Sequence, residues 1–166
     1  TGDDQNNHPQ TPGRISAIPI EDPDAPLSGV LTSGTGGTPK LALHSYRNHA
    51  ASAAGSRSLI SLQPGDGWAL ALPLDHISGQ AIVFRCLLAG ASLIIPAVNE
   101  TLQQLLLEPR LTHLSSVPTQ LLGLQRAGIN FSNSTLQQLL IGGGVIPSGL
   151  LNWLSQQPLQ SWISYG

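Results

Sequence analysis

The chain has 166 residues, of which 40% are apolar and only 10% are charged, and its net charge is −2. This length fits one domain, or a large part of one, and suffices to bury a substantial core. Nucleic-acid binding is disfavoured because the sequence has no cluster of Lys and Arg to meet a phosphate backbone.

Membrane insertion and secretion are also disfavoured. No apolar run reaches the ~18 residues that a membrane-spanning helix needs. Residues 1–26 are too polar and too rich in proline for a signal peptide. Cys86 is the only cysteine, which excludes an internal disulfide and is compatible with a reducing compartment. We therefore expect a cytoplasmic protein without an integral membrane segment.

Two features indicate an internal piece of a longer protein. The chain contains no methionine, and it ends at "SWISYG", directly after an apolar run. At the usual frequency of roughly 2%, about three methionines would be expected. The alternative is a processed small protein that lacks methionine by chance. Prolines, glycines and acidic residues predict a linker over 1–26, and the apolar pattern predicts a core over 27–166.

Strands and helices alternate along the predicted core. Short apolar runs predict strands over 28–34, 40–45, 68–73, 91–96, 111–117, 134–144 and 160–166. Amphipathic stretches predict helices over 46–60, 77–89, 100–108, 118–128 and 147–157. Ser45 and Asn99 are the predicted N-caps of two helices, Pro118 fits a first turn, and Gly90 fits a C-terminal cap.

This alternation predicts an α/β fold with a mostly parallel sheet and helices on both faces, because β-α-β units are right-handed. Ligands bind such sheets at the carboxyl ends of the strands. The loops of interest are therefore those that follow strands, namely 32–40, 74–79, 117–120, 142–146 and the residues from 165 onward.

The loop over 32–40, "TSGTGGTPK", has the composition of a polyphosphate site, and Lys40 is the only lysine in the chain. Glycines let backbone N–H groups converge on an anion, hydroxyls donate to phosphate oxygens, and lysine adds a full charge. The loop is not a Walker A motif, G-x-x-x-x-G-K-[ST], because Pro39 precedes the lysine and a leucine follows it. The alternative is a hairpin loop whose glycines serve only the turn.

The segment "LTSGTGGTPK" resembles the phosphate-binding signature of the adenylate-forming enzymes, which include acyl-CoA synthetases, luciferases and peptide-synthetase adenylation domains. The family pattern is roughly [ST]-S-G-[ST]-[ST]-G-x-P-K, and Gly36 departs from it where a hydroxyl residue is usual. Three later segments, "LPLDHISG", "LLIGGGVIP" and "SYG", resemble family motifs in the family's order. The resemblance implies that residues 27–166 are part of the large N-terminal domain of such an enzyme.

The resemblance also implies a reaction and its site. ATP and a carboxylic acid form an acyl adenylate, with Mg²⁺, and coenzyme A then displaces AMP. The resemblance implies that nucleotide and phosphate contacts come from Thr32, Ser33, Gly34, Thr35, Gly37, Lys40, Gly142, Gly143, Gly144, Tyr165 and Gly166. His76 would lie beside the activated carboxylate, as the candidate catalytic residue and a substrate-binding group. Alternatively, His76 is a structural histidine at a strand end, with its hydrogen bonds made within the protein.

Within this superfamily, "HSYRNHAASA", "LPLDHISGQAIVFRCLLAGA" and "SSVPTQLLGL" resemble the ligases that join o-succinylbenzoate to coenzyme A in menaquinone or phylloquinone synthesis. Asp75 departs from the apolar or aromatic residue usual there. The remaining candidate substrate-binding residues are Ser78, Gln80, Arg85 and Thr119. Arg85 would hold the second carboxylate of o-succinylbenzoate, and Ser78 would share its helix face at i, i+7. A snorkelling or salt-bridged arginine is the alternative.

Three alternatives stay open: another acyl- or aryl-CoA synthetase, an amino-acid adenylation domain, and a non-catalytic nucleotide-binding module. No metal site is predicted, since His44, His49, His113 and Cys86 lack metal-ligand spacing. The family's magnesium-binding glutamate, its ribose-binding aspartate and its C-terminal lid domain with a catalytic lysine are absent from the sequence. The chain alone is therefore expected to be inactive, and Thr-Glu is expected at the second and third positions after Gly166. Oligomeric state is not predicted.

Overall fold

A computed structural model describes residues 20–33 and 38–164. The strands are β1 (Pro26–Thr32), β2 (Lys40–Ser45), β3 (Gly67–Ala69), β4 (Ser92–Ile94), β5 (His113–Ser116), β6 (Gln138–Ile141) and β7 (Gln160–Ile163). The helices are α1 (Tyr46–Ser56), α2 (Ile77–Ala89), α3 (Leu102–Leu105), α4 (Pro118–Arg126) and α5 (Ser148–Leu154), with a short 3-10 helix at Phe131–Asn133.

Five strands form one parallel sheet in the order β4-β3-β5-β6-β7. The first strand of this sheet along the chain is β3, which lies second in the order. The chain then passes through α2 to the edge strand β4 and returns through α3 to β5, on the other side of β3. Because crossovers are right-handed, this reversal of direction sends α2 to one face of the sheet and α3, α4 and α5 to the other. The predicted mostly parallel α/β fold is confirmed.

Side chains of each strand alternate between two apolar cores, one on each face of the sheet. One core contains Ala69, Ile94, Leu114, Leu139 and Ile141 from the strands, packed against residues of α3, α4 and α5. The other contains Trp68, Leu93, Leu140 and Trp162, packed against Ile82 and Cys86 of α2. Helices therefore cover both faces of the sheet, as the sequence predicts.

The first two strands form a separate antiparallel hairpin, in which Thr32 pairs with Lys40 and Ser28 pairs with His44. In the part of the chain that the structure describes, this hairpin shares no ladder with the parallel sheet. The expectation that the loop over 32–40 follows a strand of the parallel sheet is therefore wrong. The cause is the connection between the two strands, which is too short to return the chain to a parallel neighbour.

Most predicted elements are present, but several boundaries differ. Helix α2 begins and ends where predicted, and Gly90 ends it with a left-handed φ of 68°. Helix α1 ends at Ser56, before the predicted end at residue 60. The prediction that Asn99 caps α3 is wrong: Asn99 has a φ of 66°, and Thr101 is the N-cap, accepting from the backbone N–H of Gln104 at 3.3 Å. An N-cap needs an extended backbone, which a left-handed residue cannot supply.

The linker predicted over 1–26 lies largely outside the described residues and stays a prediction. Among the helices described, none is long and apolar enough to cross a membrane.

Gly79 lets helix α2 lie directly on the loop that precedes it. A Cβ at this position would stand 2.1 Å from the carbonyl oxygen of Pro73 and 2.8 Å from that of Leu72. Real Cβ atoms do not approach backbone oxygen so closely, so a side chain here would displace α2.

We predict that Gly79→Ala lowers the free energy of unfolding by about 1–3 kcal/mol, through overpacking against backbone that cannot rotate away. Gly123→Ala is the matched control. Gly123 also lies inside a helix, but a Cβ there meets nothing within 4 Å. It should raise stability by about 0.5–1 kcal/mol, because alanine restricts the unfolded chain. Urea unfolding measures both, and equal effects of the two substitutions would contradict the close approach.

Candidate functional site

A cavity of about 520 Å³ opens where the carboxyl ends of β5, β6 and β7 meet the start of α2. One wall comes from α2 and the residue before it: His76, Ile77, Ser78, Ala81 and Arg85. The other wall comes from residues at or just after strand ends: Ser115, Ser116, Val117, Gly142, Gly143 and Ser164. The cavity thus lies between α2 and the carboxyl ends of the parallel strands, where ligands bind sheets of this kind.

Five of the predicted site residues line this one cavity: His76, Ser78, Arg85, Gly142 and Gly143. His76 is the N-cap residue of α2, and Ser78 and Arg85 lie two turns apart on one face of the helix. The i, i+7 spacing thus places both polar side chains on the same wall. The cavity joins the loops predicted over 74–79 and 142–146.

The side chain of Arg85 is half-buried, and no carboxylate of residues 20–33 and 38–164 forms an ion pair with it. Its Nε donates to Ser56 Oγ at 3.1 Å, and its Cζ lies 5.3 Å from the ring centroid of Trp68. Burial lowers the pKa of Arg85 from its ordinary value. In the described ranges the only ion pairs are Arg47–Asp24 and Arg110–Glu108. Arg85 also lines a second cavity of about 190 Å³, together with Ser56 and Trp68. A half-buried cation that borders both cavities favours an anionic ligand beside it.

The glycines after β6 keep the strand ends open to the cavity. A Cβ at Gly142 would stand 2.5 Å from Ser164 Oγ. Gly143 has a left-handed φ of 80°, a conformation that disfavours other residues. Gly144 does not line the cavity, and a Cβ there would meet nothing within 4 Å. The backbone conformation therefore favours glycine at position 143, a Cβ at position 142 would require only the Ser164 hydroxyl to rotate, and position 144 has room for a side chain.

Sequence reasoning missed Ser115. This residue is 3% exposed and lines the cavity, and its hydroxyl has no hydrogen-bond partner among the described residues. A buried hydroxyl without a partner costs free energy unless a ligand supplies one. Strand alternation could have found it: Leu114 faces the core beside α4, so Ser115 must face the side of α2.

The ends of the β1–β2 hairpin carry the described part of the predicted phosphate loop. Thr32, Ser33 and Lys40 are all exposed, and Thr32 Oγ1 donates to the carbonyl oxygen of Lys40 at 3.3 Å. Their side chains are free to meet a ligand above the hairpin. Five further predicted nucleotide-binding residues lie outside the described residues: Gly34, Thr35, Gly37, Tyr165 and Gly166.

Two predicted substrate-binding residues do not line the cavity. The side-chain amide of Gln80 donates to the carbonyl oxygen of Leu74 at 3.0 Å and accepts from Ser28 Oγ at 2.8 Å. Thr119 is exposed at the start of α4, next to Gln120, whose Oε1 accepts from Ser116 Oγ. Substrate contacts by Gln80 and Thr119 stay predictions. In the structure the Gln80 amide is hydrogen-bonded to Ser28 and Leu74.

A family model described as "AMP-binding enzyme" matches residues 2–166. The chain belongs to the AMP-binding enzyme family. Among curated relatives, the 2-succinylbenzoate–CoA ligase of Salmonella typhimurium is 43% identical over 144 residues, which cover 87% of this chain and 30% of that protein. The Escherichia coli enzyme of the same name is 42% identical over 139 residues, with 84% and 30% covered. The chain thus spans about 30% of the length of these relatives.

Solved structures of this kind share the fold. A variant of E. coli MenE with bound OSB-AMS superposes with a TM-score of 0.77 at 40% identity, covering 87% of this chain and 31% of that one. The o-succinylbenzoate coenzyme A synthetase of Bacillus subtilis, in complex with ATP and a magnesium ion, gives a TM-score of 0.77 at 31% identity, covering 90% and 32%. The fold is therefore that of adenylate-forming relatives, over the part of their length that this chain spans.

Helix α2 turns Cys86 away from the cavity and into the core, where it is 1% exposed. Burial raises the pKa of the Cys86 thiol to about 11, and neither a hydrogen bond from the Trp68 backbone nor the nearby Arg85 charge offsets this. The folded protein therefore holds the thiol proton more tightly than the unfolded chain does.

We predict that this thiol makes stability fall with rising alkaline pH. Its contribution is fully present below the ordinary thiol pKa of about 8.5 and is lost as pH rises toward the folded pKa of about 11. Urea unfolding of wild type and Cys86→Ala at several pH values above 8 measures the effect. The difference in stability between the two proteins should shrink as pH rises, and a constant difference would contradict the raised pKa.

Proposed function

We propose that this chain is part of an ATP-dependent, AMP-forming acid–CoA ligase whose acid is o-succinylbenzoate. The observation that carries the proposal is the cavity that joins Arg85, Ser78 and Ser115 to the glycines after β6. The names of the relatives support the reaction and the acid. The proposed partners are this carboxylic acid, ATP and coenzyme A, and a cytoplasmic location is part of the proposal.

The proposed reaction has two steps. A carboxylate oxygen of the acid attacks the α-phosphorus of ATP, and pyrophosphate leaves, giving an acyl adenylate. The thiol of coenzyme A then attacks the acyl carbon, loses its proton, and AMP leaves. Charge develops on phosphate and carbonyl oxygens in both steps, so positioning and electrostatic stabilisation are the tasks for this chain's residues. No protein nucleophile is required.

In this scheme the β1–β2 hairpin holds the β- and γ-phosphates. Lys40 supplies positive charge, and the Ser33 hydroxyl donates to a phosphate oxygen. The Thr32 hydroxyl donates to phosphate once it turns away from the carbonyl oxygen of Lys40. Their exposure at the hairpin ends supports this role. Mg²⁺ accompanies ATP in the B. subtilis complex, and it is part of the proposal as a co-substrate ion. No ligand for it is assigned among residues 20–33 and 38–164.

The acid is proposed to occupy the cavity with one carboxylate near His76 and the other near Arg85. The second carboxylate would give the half-buried guanidinium the counter-charge that it lacks in the described chain. Ser78 and Ser115 border the same space and would donate their hydroxyl protons to the acid. A ligand oxygen near Ser115 would remove the cost of its unpaired hydroxyl.

Acid-dependent pyrophosphate exchange by the full-length protein tests the function. Labelled pyrophosphate should enter ATP in the presence of o-succinylbenzoate. Benzoate, a fatty acid and a panel of amino acids should support at most a small fraction of that exchange. Faster exchange with any of these acids would assign another substrate, and no exchange with any acid would favour a binding module.

We predict that Arg85→Ala lowers turnover of o-succinylbenzoate by at least about 100-fold, because it removes a charge-assisted contact made in a desolvated site. ATP affinity should stay within about twofold, since the phosphates lie at the hairpin. Arg126→Ala, at the exposed end of α4, is the control and should leave both unchanged. Steady-state kinetics and calorimetric ATP titration make the measurement. An equal loss of acid turnover and ATP affinity in Arg85→Ala would overturn the assignment.

We predict that Ser115→Ala raises KM for o-succinylbenzoate roughly 10-fold or more, because a hydrogen bond to a charged group is worth about 1.5–3 kcal/mol. The same change should stabilise the unliganded protein slightly, since it removes a buried hydroxyl without a partner. Thermal unfolding with and without the acid separates the two effects. A destabilised unliganded protein with an unchanged KM would show that Ser115 serves only the fold.

A further inference from the structure

The β1–β2 hairpin depends on its base for its orientation. Within residues 20–33 and 38–164 it forms a two-stranded ribbon of its own, separate from the parallel sheet. Its tip carries Thr32 and Lys40, which pair with each other in the ladder. Its base lies at Ser28, which pairs with His44 just before α1 begins. A rotation at the base would therefore be carried along the strands to the tip.

Three side chains join at the base of the hairpin, and we call Ser28, His49 and Gln80 the hairpin anchor. Ser28 Oγ lies 2.8 Å from Gln80 Oε1 and 2.8 Å from His49 Nε2. Ser28 belongs to β1, His49 to α1 and Gln80 to α2. The anchor thus connects three elements that are far apart in sequence.

The hydrogen bonds of the anchor permit one arrangement of protons. The Gln80 amide nitrogen donates to the carbonyl oxygens of Leu74 at 3.0 Å and Gly29 at 3.5 Å, which fixes the amide orientation. Gln80 Oε1 must then accept, so the Ser28 hydroxyl donates to it. The remaining lone pair of Ser28 Oγ accepts from the His49 ring, whose Nε2 therefore carries the proton.

His49 is well suited to this fixed role. It is 3% exposed, and its ring stacks on Phe84 of α2 with centroids 3.9 Å apart and planes inclined by 6°. Burial, and to a lesser extent the nearby ring of His44, lowers the pKa of His49. The lowered pKa favours the neutral imidazole, and the hydrogen bonds of the anchor place a proton on Nε2, which donates to Ser28.

Helix α2 carries both the anchor and the acid cavity. Gln80 lies one turn after His76, whose carbonyl accepts from its backbone N–H, and about one turn before Arg85. We infer that the hairpin anchor is a positioning device for the first half-reaction: it sets the phosphate-holding tip of the hairpin relative to the acid in the cavity. This inference rests on the proposed function, and it replaces substrate contact as the role of Gln80.

The test compares the two half-reactions of the full-length protein. Gln80→Leu keeps the approximate side-chain volume but removes all the amide hydrogen bonds. Adenylation, measured as acid-dependent pyrophosphate release, should slow by about 10- to 100-fold, as expected when reacting groups are misplaced by about 1 Å. Thioester formation from synthetic o-succinylbenzoyl adenylate and coenzyme A should stay within about twofold, because the β- and γ-phosphates have already left. A residue that only supported the fold would slow both steps or neither.

Gln103→Leu is the matched control. Gln103 is exposed on α3, and no described hydrogen bond involves its side chain, so both half-reactions should run at the wild-type rate. Ser28→Ala is the second variant in case Gln80→Leu does not fold, and it should slow adenylation by about 3- to 10-fold through loss of shared hydrogen bonds. The double variant Ser28→Ala/Gln80→Leu should be less impaired than the product of the two single effects, because Ser28 and Gln80 share one hydrogen bond.

The outcomes separate this inference from the proposed function. If wild type adenylates no acid, the proposed function fails, and calorimetric titration with ATP alone then tests the anchor: Gln80→Leu should bind ATP more weakly than Gln103→Leu. If wild type is active and Gln80→Leu matches it in both adenylation and ATP affinity, the anchor inference is overturned. It is also overturned if Gln80→Leu slows both half-reactions equally.

Discussion

Helix α2 can reach its position only because residue 79 has no side chain. The carbonyl oxygen of Pro73 occupies the space where a Cβ would stand, 2.1 Å away. This contact seats the first turn of α2 on the loop after β3. The positions of three residues depend on this contact: His76 and Arg85 line the cavity, and Gln80 forms a hydrogen bond with the base of the hairpin. A shift of the helix would move all of these together.

The site contains polar groups that the fold leaves incompletely satisfied. Arg85 is half-buried with a serine and an indole ring as its neighbours, and the buried hydroxyl of Ser115 has no partner in the described chain. Elsewhere, both ring nitrogens of the buried His113 are paired, with Thr112 Oγ1 and the carbonyl oxygen of Ser61, whereas His44 Nδ1 and Trp68 Nε1 have no partner among the described residues. Native proteins accept such costs mainly where a ligand completes the hydrogen bonds. Of these unpaired groups, only Ser115 borders the cavity within the described residues, and together with Arg85 it supports a binding role for the cavity.

Prediction from the residues succeeded where the signal was local. The bounds of α2 were predicted correctly because its apolar stretch ends at the helix-capping Gly90. The i, i+7 spacing of Ser78 and Arg85 identified one wall of the cavity. Prediction failed where neighbours in space decide the outcome. The strand predicted over 68–73 contains only Gly67–Ala69, the residues that pair with β4 and β5. The predicted cap at Asn99 is wrong because residue type alone does not determine φ.

The order of apolar runs and amphipathic stretches was enough to specify a parallel α/β sheet, and the loop from Thr32 to Lys40 was enough to indicate polyphosphate, since both patterns are written in residues close along the chain. The convergence of α2 with the ends of β5, β6 and β7 and the hydrogen bonds of Gln80 could not be predicted in this way. They depend on which segments the crossover from β4 to β5 brings together and on the 2.8 Å contact between Ser28 and Gln80, which are 52 positions apart. Contacts of that kind follow from packing the whole sheet, and no local pattern records them.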